Sequence, residues 1–439
     1  MENLISKIMG SNPNPYLEGN FRPVKEVLTA TKLDVIGSVP RDLFGTYLRN
    51  GPNPKLQASP KKYHWFMGDG MVHGVRLEEG NALWYRNNYV VGEEFGPNTH
   101  VIEHAGKIYA CVEAGPSPVE LDSEINSLTN KPFQGTLKSG FSPHPKLDAD
   151  TNELHAICYD YNGYKDYIQY VVVNSEGLVS KTKNISLPSR SMIHNTAITK
   201  NYILIFDLSV TFSLYRYIRG YFPFSWKDKH IARVGLLPRN GNQENIVWCE
   251  VNPCYSYHNF NSYETTDGSV VVNLVHYQRN FDQDWNDPFV DSPPQWLRWT
   301  LNPNTGKTNE ELVDSRAFEF PRIHPLLEGK NNRFGYSVVS GEEDGQPDCN
   351  RICKHDLKSG LVISHALDSG RLAGEPVFIP RENAKDEDAG YVMTFVYDGK
   401  TKKTELIILN AEEIEQEPLA RVLLPQRVPF GFHGNWVPS

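Results

Sequence analysis

Short strand-like runs recur along the whole chain and constrain its fold class. Runs rich in Val, Ile, Tyr and Phe lie at residues 71–78, 82–91, 101–113, 153–161, 168–173, 202–208, 269–277 and 391–397. Turn signals such as Thr-Asp-Gly at 266–268 and Asp-Gly-Lys at 398–400 separate them. Helical periodicity is weak, and it predicts a helical turn or two only at 226–233 and 410–417. The pattern predicts an all-β protein.

Hairpins at regular spacing over 439 residues leave two architectures open. One is a set of small β-sandwiches, and the other is a single β-propeller. Gly and Pro are spread along the chain, and no low-complexity stretch or change of composition marks a linker. We therefore expect one domain over residues 1–439.

The charge, the apolar runs and the cysteines of the chain argue against several classes of function and location. A net charge of −9 argues against a nucleic-acid partner, which would need a basic face. No apolar run approaches the roughly 18 residues of a spanning helix, and the N-terminus lacks a secretory-signal pattern, so we expect a cytoplasmic protein. Cys349 and Cys353 have the spacing of half a zinc site, but no second pair follows, so we interpret them as ordinary thiols.

Four histidines stand out from the fourteen in the chain because a Gly, Pro or Asn flanks each of them: His144, His194, His258 and His433. Such neighbours let the backbone approach a crowded axis. In a propeller, inner strands from different blades surround one axis, so distant ligands can converge, whereas separate sandwiches give no convergence. Any single histidine can instead be structural. If the four converge, their imidazoles suit Fe, Zn, Cu or Ni rather than Mg or Ca.

Three acidic residues lie in apolar, strand-like surroundings: Glu113, Glu319 and Glu375. A metal-bound imidazole usually donates its second N–H to a carboxylate, which fixes the orientation of the ring. A buried carboxylate without a partner is costly, so each of these residues needs one. The alternative for each is an edge-strand position that faces water.

Longer motifs give the chain a specific resemblance. They lie at residues 14–21 (NPYLEGNF), 47–54 (YLRNGPNP), 64–73 (HWFMGDGMVH), 318–322 (FEFPR) and 424–438 (LPQRVPFGFHGNWVP). Together with the four histidine motifs, they resemble the carotenoid cleavage oxygenases. That family includes carotenoid and apocarotenoid dioxygenases, stilbene-cleaving dioxygenases and a retinoid isomerase.

The resemblance implies a seven-bladed β-propeller with a loop-built cap over its top face and Fe(II) on its axis, held by the four histidines. It also implies three ligand–carboxylate pairs: His194 with Glu113, His258 with Glu319, and His433 with Glu375. His144 is expected to lack such a partner. Thr99 matches a threonine whose methyl group, in many family members, leans over one open iron position and steers O2 to the other.

The chemistry implied is cleavage of an electron-rich alkene by O2 into two carbonyl products, with no cofactor beyond iron. Phenol-cleaving stilbene members resemble one another in having a lysine just before the residue that matches Glu113, where this chain has Val112. That departure favours a long, lipophilic polyene, a carotenoid or an apocarotenoid, over a stilbene or phenylpropanoid alkene. A phenol-binding tyrosine of those members would fall near Tyr85 or Tyr89.

Two further interpretations stay open. The segment from Phe212 to Lys229 alternates aromatic and aliphatic residues with Arg and Lys, which suits peripheral contact with a membrane surface. Its alternative is a loop packed on the propeller. A non-catalytic propeller that binds a lipophile or a protein around a structural metal is the rival class of function, and double-bond isomerisation is a minor fourth possibility.

Overall fold

The computed structural model describes residues 14–56, 59–92, 96–129, 131–160, 166–285, 287–339, 342–343, 346–347 and 349–439. Almost all of its regular structure is β-strand, arranged in seven sheets of four to six strands, each of them one blade of a propeller. The all-β, seven-bladed prediction is therefore confirmed.

Four blades are single antiparallel sheets that follow the chain in order. Blade 1 is β6 (His100–His104), β7 (Lys107–Cys111), β8 (Val119–Leu121) and β9 (Ser127–Thr129). Blade 2 is β10 (Lys146–Asp148), β11 (Glu153–Cys158), β12 (Tyr167–Val173) and β13 (Val179–Ser186). Blade 3 is β14 (Thr196–Ile198), β15 (Tyr202–Asp207), β18 (Arg233–Pro238) and β19 (Val247–Glu250). Blade 4 is β20 (Asn259–Glu264), β21 (Val270–His276), β22 (Gln295–Leu301) and β23 (Thr308–Asp314).

The remaining strands complete three blades and two hairpins. Blade 5 is β24 (Phe318–Ile323), β25 (Phe334–Val339), β28 (Arg351–Asp356) and β29 (Val362–Ala366). Blade 6 is β30 (Arg371–Ala373), β31 (Val377–Pro380), β32 (Gly390–Asp398), β33 (Lys403–Asn410), β34 (Ala420–Leu423) and β2 (Asp34–Gly37). Blade 7 is β35 (Gly434–Pro438), β3 (Gly45–Pro52), β4 (Gly70–Glu78), β5 (Asn81–Tyr89) and β1 (Thr29–Ala30). The hairpins are β16 (Val210–Phe212) with β17 (Phe224–Trp226), and β26 (Glu342–Glu343) with β27 (Gln346–Pro347).

The burial pattern of the strands follows their place in a blade. Every residue of β21, including Val270, Val271 and Val272, is buried, because sheets pack on both of its faces. The outer strand β13 instead alternates exposed and partly buried side chains over most of its length, as a strand with one wet face does. The main cores lie between blades, where one sheet face packs on the next.

The innermost strands form a ring around the propeller axis. β35 contacts β6, β10 contacts β14, and β14 contacts β20; β20 then contacts β24, β24 contacts β31, and β31 contacts β35. The two ends of the chain close this ring: β35 pairs with β3 in blade 7, and β2 pairs with β34 in blade 6. Each of these two blades is therefore built from both ends of the chain.

Loops, the β16–β17 hairpin and short helices form the cap on one end of the axis. The one α-helix among the described residues, α1 (Leu214–Ile218), lies between the two strands of that hairpin. The 3-10 helices are Pro15–Leu17, Gly19–Phe21, Trp65–Met67, Phe133–Gly135, Gln243–Asn245 and Pro325–Leu327.

The two helical predictions were wrong. Residues 227–232 form turns and loop between β17 and β18, and residues 411–416 form turns between β33 and β34. In both segments the apolar residues are too few to give a helix a buried stripe.

None of the helices in the described part of the chain is long and apolar enough to cross a membrane. The N-terminal segment on which the expected cytoplasmic location depends falls in residues 1–13, outside the described residues. That location stays a prediction, as does the division into a single domain.

Candidate metal centre

The four histidines predicted to form a site lie together on the propeller axis. One ring nitrogen from each of His144, His194, His258 and His433 lies within 4.8 Å of the others. His258 and His433 immediately precede β20 and β35, and His144 and His194 stand two residues before β10 and β14. All four thus occupy the same end of inner strands from four blades, which is why residues so distant in sequence meet.

The ring nitrogens of this group are suited to hold a metal ion. The Nε2 atoms of His144, His194 and His258 are buried and have no hydrogen-bond partner among the described residues. Unsatisfied buried nitrogens are costly, and metal coordination satisfies them. Metal–imidazole bonds of about 2.1 Å place opposite nitrogens roughly 4 Å apart, close to the observed spread. The donor set therefore fits a transition metal such as Fe, Zn, Cu or Ni.

Each of the three carboxylates lies beside the histidine with which the resemblance paired it. The Nδ1 atoms lie 3.0 Å from Glu113 Oε2 for His194, 2.7 Å from Glu319 Oε2 for His258 and 2.9 Å from Glu375 Oε1 for His433. An ionised carboxylate can only accept hydrogen bonds, so each Nδ1 carries the proton. The three Nε2 atoms are thereby left with free lone pairs, as metal ligation requires.

Glu319 is held by three donors at an irregular point in its strand. His258 and the Phe320 backbone N–H donate to Oε2, and Tyr277 donates to Oε1 at 2.7 Å. Phe320 has a φ of 55°, and the register of β24 against β25 shifts between Glu319 and Arg322. This left-handed residue in a bulge turns the local backbone so that the carboxylate meets its own neighbour's N–H.

The pKa of Glu319 is lowered even though burial alone would raise it, because His258, Tyr277 and the Phe320 N–H together outweigh the desolvation. Its carboxylate is therefore ionised when the histidine donates to it. Around it, Glu113 also accepts from Tyr159 at 2.9 Å, and Glu375 accepts from the Gly434 N–H at 2.7 Å.

Burial holds two histidines of the group, His144 and His433, in the neutral form. Burial first, and then the neighbouring histidines, hold the pKa values of His144 and His433 far below the ordinary value. A fifth histidine, His100, packs beside both rings, and burial lowers its pKa to about 3. Its Nδ1 lies 2.7 Å from the carbonyl oxygen of Pro143, the residue just before His144. His144 is the one ligand for which no glutamate partner was expected, and the backbone next to it is instead fixed by this contact.

Thr99 lies at the rim of the group and lines a pocket beside it. Its Oγ1 donates to Asn98 Oδ1 at 3.0 Å, and its carbonyl oxygen accepts from the His433 N–H at 3.1 Å. The backbone of Thr99 is thus tied directly to a histidine of the group. The steering role of its methyl group stays a prediction.

An apolar pocket opens between the histidines and the cap. His194, His258 and His433 form its floor, together with Glu113 and Glu319. Aromatic side chains dominate its walls: Trp65, Phe66, Tyr159, Phe222, Phe224, Tyr257, Phe289, Phe320 and Phe432. Among the described residues that line it, none is Lys or Arg. Val112, the position on which the substrate argument depended, is one of its lining residues and is 5% exposed.

The expectation that Tyr85 or Tyr89 faces the substrate was wrong, since neither lines this pocket. Tyr85 is fully buried between blades 6 and 7, where its hydroxyl contacts His73 at 2.9 Å. Tyr89 bonds Asn53 on the outer part of blade 7. The phenols of the pocket are Tyr159 and Tyr257, which the sequence analysis did not single out.

The interpretation of Cys349 and Cys353 as ordinary thiols stays a prediction. Within the described chain, Cys349 and Cys353 belong to no group of three or more potential metal ligands. Burial raises the pKa of the Cys353 thiol to about 12, so it is protonated.

Comparison with known proteins identifies the family of the chain. The retinal pigment epithelial membrane protein family matches residues 21–438. A carotenoid cleavage oxygenase of Mycobacterium tuberculosis is 38% identical, over 97% of this chain and 98% of its own length.

Two solved structures show the same fold. The lignostilbene dioxygenase of Pseudomonas brassicacearum superposes with a TM-score of 0.89 at 24% identity, covering 98% of this chain and 100% of its own. A variant of the Synechocystis apocarotenoid oxygenase gives a TM-score of 0.85 at 24% identity, covering 96% and 98%. The chain therefore belongs to the retinal pigment epithelial membrane protein family, the family of the carotenoid cleavage oxygenases.

Proposed function

We propose that the protein is a non-haem Fe(II) dioxygenase that cleaves a conjugated carbon–carbon double bond of a carotenoid or apocarotenoid into two carbonyl products. One observation carries the proposal: three of the four clustered histidines form the floor of an aromatic, cation-free pocket. A lipophilic alkene bound there lies directly against the metal site. The similarity to a carotenoid cleavage oxygenase supports the same reaction class.

Cleavage by O2 needs a redox-active centre, which excludes Zn from the metals that the imidazoles suit. Among the remaining metals, the resemblance to the carotenoid cleavage oxygenases favours iron. When bound, Fe(II) supplies the activation of O2. The overall reaction balances without another cofactor: both oxygen atoms of O2 enter the two carbonyl products, and the alkene provides the four electrons.

The residues of the chain contribute orientation and a dry environment. Glu113, Glu319 and Glu375 fix the tautomers of three ligands, so that their Nε2 atoms face the axis. The aromatic walls hold the polyene at the floor by burying its apolar surface and excluding water. The buried carboxylates also favour a divalent cation, since among described residues only Arg322 forms a Lys or Arg ion pair with any of them.

The pocket favours a polyene over a phenolic alkene. A phenol oxygen needs a polar partner when it is buried, but Val112 offers none. The hydroxyl groups of Tyr159 and Tyr257 donate to Glu113 and Asn280, so towards a phenol they offer only an acceptor oxygen and no positive charge. Cleavage of a stilbene or phenylpropanoid alkene stays the alternative. Because the fold is similar to that of a lignostilbene dioxygenase, hydroxystilbenes are included among the substrates to be tested.

We also propose that the segment from Phe212 to Lys229 meets a membrane surface and admits the substrate. The helix α1 exposes Leu214, Tyr215 and Ile218 at 50%, 65% and 74%. Phe222 and Phe224, further along the segment, line the apolar pocket. Exposed apolar side chains on a short helix that contains Arg216 and is followed by Arg219 suit the interface of an anionic bilayer.

The test is aerobic turnover of the iron-loaded protein with apocarotenals of several lengths and with hydroxystilbenes, followed by mass spectrometry of the products. We expect two carbonyl fragments from a polyene and consumption of one O2 per cleavage. His258→Ala is expected to abolish turnover, whereas His365→Ala, on the outer strand β29, is expected to retain it. Products from stilbenes alone would favour the alternative. Failure to consume O2 with any conjugated alkene would favour a non-catalytic lipophile-binding propeller, and a rearranged but intact polyene would indicate an isomerase.

A further inference from the structure

The inner strands enclose a second cavity, which we call the axial channel. Its volume is about 470 Å³. Residues of six inner strands line it, and Asn195, which precedes the seventh, completes the wall. The channel reaches the surface beside Pro325 and Pro438, which are both exposed.

The histidine group separates the axial channel from the apolar pocket. His258 and His433 line both cavities. The residues just before them, Tyr257 and Phe432, line only the apolar pocket, whereas Asn259, just after His258, lines only the channel. The metal site therefore has two approaches, one from the cap and one along the axis.

The two approaches differ in what they can carry. The apolar pocket has no Lys or Arg among its described lining residues, and a divalent ion that crossed its aromatic walls would lose its hydration shell at a large cost. The channel instead presents Lys146, Asn259, Arg322 and Glu328. Its volume far exceeds the roughly 10–15 Å³ that one water requires, so a hydrated ion can pass.

A charged pair lies in the wall of the channel below the histidines. Lys146 Nζ donates to Asn259 Oδ1 at 3.1 Å and lies 3.6 Å from Glu328 Oε1. That distance is too long for a hydrogen bond, and Glu328 Oε1 has no hydrogen-bond partner in the described part of the chain. Because Oε1 is itself buried, Glu328 acts on a passing cation through the negative charge of its partly exposed side chain.

The formal charge of the wall also favours a cation. Three carboxylates line the channel, from Glu103, Glu328 and Glu375, against two cations, Lys146 and Arg322. The sum is −3 + 2, or −1, with the histidines neutral.

We propose that a hydrated divalent metal ion enters and leaves the four-histidine site through the axial channel, and that the Lys146–Glu328 pair controls its passage. This inference rests on the proposed metal site. Lipophilic substrate then binds from the cap side, so that metal exchange and substrate binding use opposite sides of the histidines.

The test measures metal exchange rather than turnover. Apo-protein is mixed with Co²⁺, uptake is followed by the visible absorption of the bound ion, and release is followed after addition of a chelator. Glu328→Lys changes the charge sum of the wall from −1 to +1. We expect the uptake rate to fall roughly ten-fold, the release rate to fall by the same factor, and the Kd to stay unchanged, because a barrier in the route affects both directions equally. Glu328→Gln, nearly isosteric, is expected to give about half of the effect on a logarithmic scale.

Two variants serve as controls: Glu415→Lys, which makes the same change of charge as Glu328→Lys, and Met67→Lys, which adds one positive charge. Glu415→Lys alters an exposed residue that lines neither cavity, and Met67→Lys places a cation in the wall of the apolar pocket. Both are expected to take up Co²⁺ at the unmodified rate.

Three results would overturn the route. They are unchanged uptake in Glu328→Lys, slower uptake in Met67→Lys, and a change of Kd without a matching fall of both rates. Failure of the site can be told apart from failure of the route. If the unmodified protein binds no Co²⁺, or if His258→Ala binds it equally well, then the proposed metal site itself is wrong.

Discussion

Glu319 and Glu375 hold their histidines in different ways, so removal of their charges is expected to have unequal effects. In Glu319, Oε2 accepts from His258 and from a backbone N–H, while the one donor to Oε1 among the described residues is the Tyr277 hydroxyl. In Glu375, Oε1 accepts from His433, and Oε2 accepts from the Gly434 N–H. Both oxygens of Glu375 therefore face N–H groups, which can donate a hydrogen bond but cannot accept one. One oxygen of Glu319 instead faces a hydroxyl group, which can do either.

Substitution by glutamine makes this difference measurable. In Glu319→Gln, the amide oxygen can take the place of Oε2 while the NH₂ group faces the Tyr277 hydroxyl, which turns to accept. In Glu375→Gln, the NH₂ group must face either the His433 Nδ1–H or the Gly434 N–H. The first option forces His433 into the tautomer that cannot ligate, and the second leaves two buried donors opposed.

The magnitudes follow from these contacts. Loss of an outer partner of a ligating histidine typically weakens metal binding 10- to 100-fold. We expect Glu319→Gln to lie near ten-fold, or about 1.4 kcal/mol. Glu375→Gln adds an unsatisfied buried donor, which costs about 1–3 kcal/mol, and is expected to reach about 100-fold or more.

The assay is calorimetric titration of apo-protein with Co²⁺ or Zn²⁺, with thermal unfolding of each apo-variant as the control for folding. Equal affinities of the two variants, or weaker binding by Glu319→Gln, would refute the reasoning from donors. Glu113→Gln provides an internal reference, because both of its oxygens lie within 3.1 Å of the same His194 Nδ1 and either can accept.

Three further outcomes are expected. Val112→Lys should raise turnover of a hydroxystilbene relative to an apocarotenal, measured by product yield, because it places a cation in a pocket whose described lining residues include no Lys or Arg. Ile218→Asp should weaken sedimentation with anionic vesicles, whereas Leu361→Asp, on an exposed turn of blade 5, should not. Burial lowers the pKa of His355 to about 3. Below about pH 6.5 the unfolded chain therefore binds a proton at this histidine, whereas the native protein does not. The free energy of unfolding falls as the pH falls through this range. Between pH 6 and pH 4 the free energy of unfolding, measured by urea titration, should fall less steeply in His355→Phe than in the unmodified protein. The difference in slope should be up to about 1.4 kcal/mol per pH unit.

The strand-rich pattern of the sequence predicted the all-β class, and the residues that flank the four histidines marked them as candidates for one site. The resemblance to the carotenoid cleavage oxygenases supplied the seven blades, the convergence of the histidines and the place of Val112 beside the substrate. The structure shows why the histidines meet, since each lies at the same end of an inner strand.

Other features depend on packing between blades and had no local signal. Tyr85 was expected near the substrate, but the inward alternation of β5 turns its side chain into the core between blades 6 and 7. Tyr159 and Tyr257 reach the pocket from loops after β11 and before β20. In a loop, the alternation of apolar and polar residues does not predict which way a side chain points. The left-handed backbone conformation of Phe320 also had no sequence signal, because an aromatic residue in a strand-like motif does not predict a positive φ.

The strand that closes the ring has a consequence for how the protein is made. His433 stands immediately before β35, the strand that joins the C-terminal part of the chain to β3. Blades 1–5 can pair their own strands as they leave the ribosome, but the four-imidazole site is not complete until this last ligand has emerged. A chain interrupted before that point would hold at most three of the ligands and would lack the closing strand. Binding of a metal ion by all four imidazoles therefore requires a chain that has been synthesised at least as far as His433.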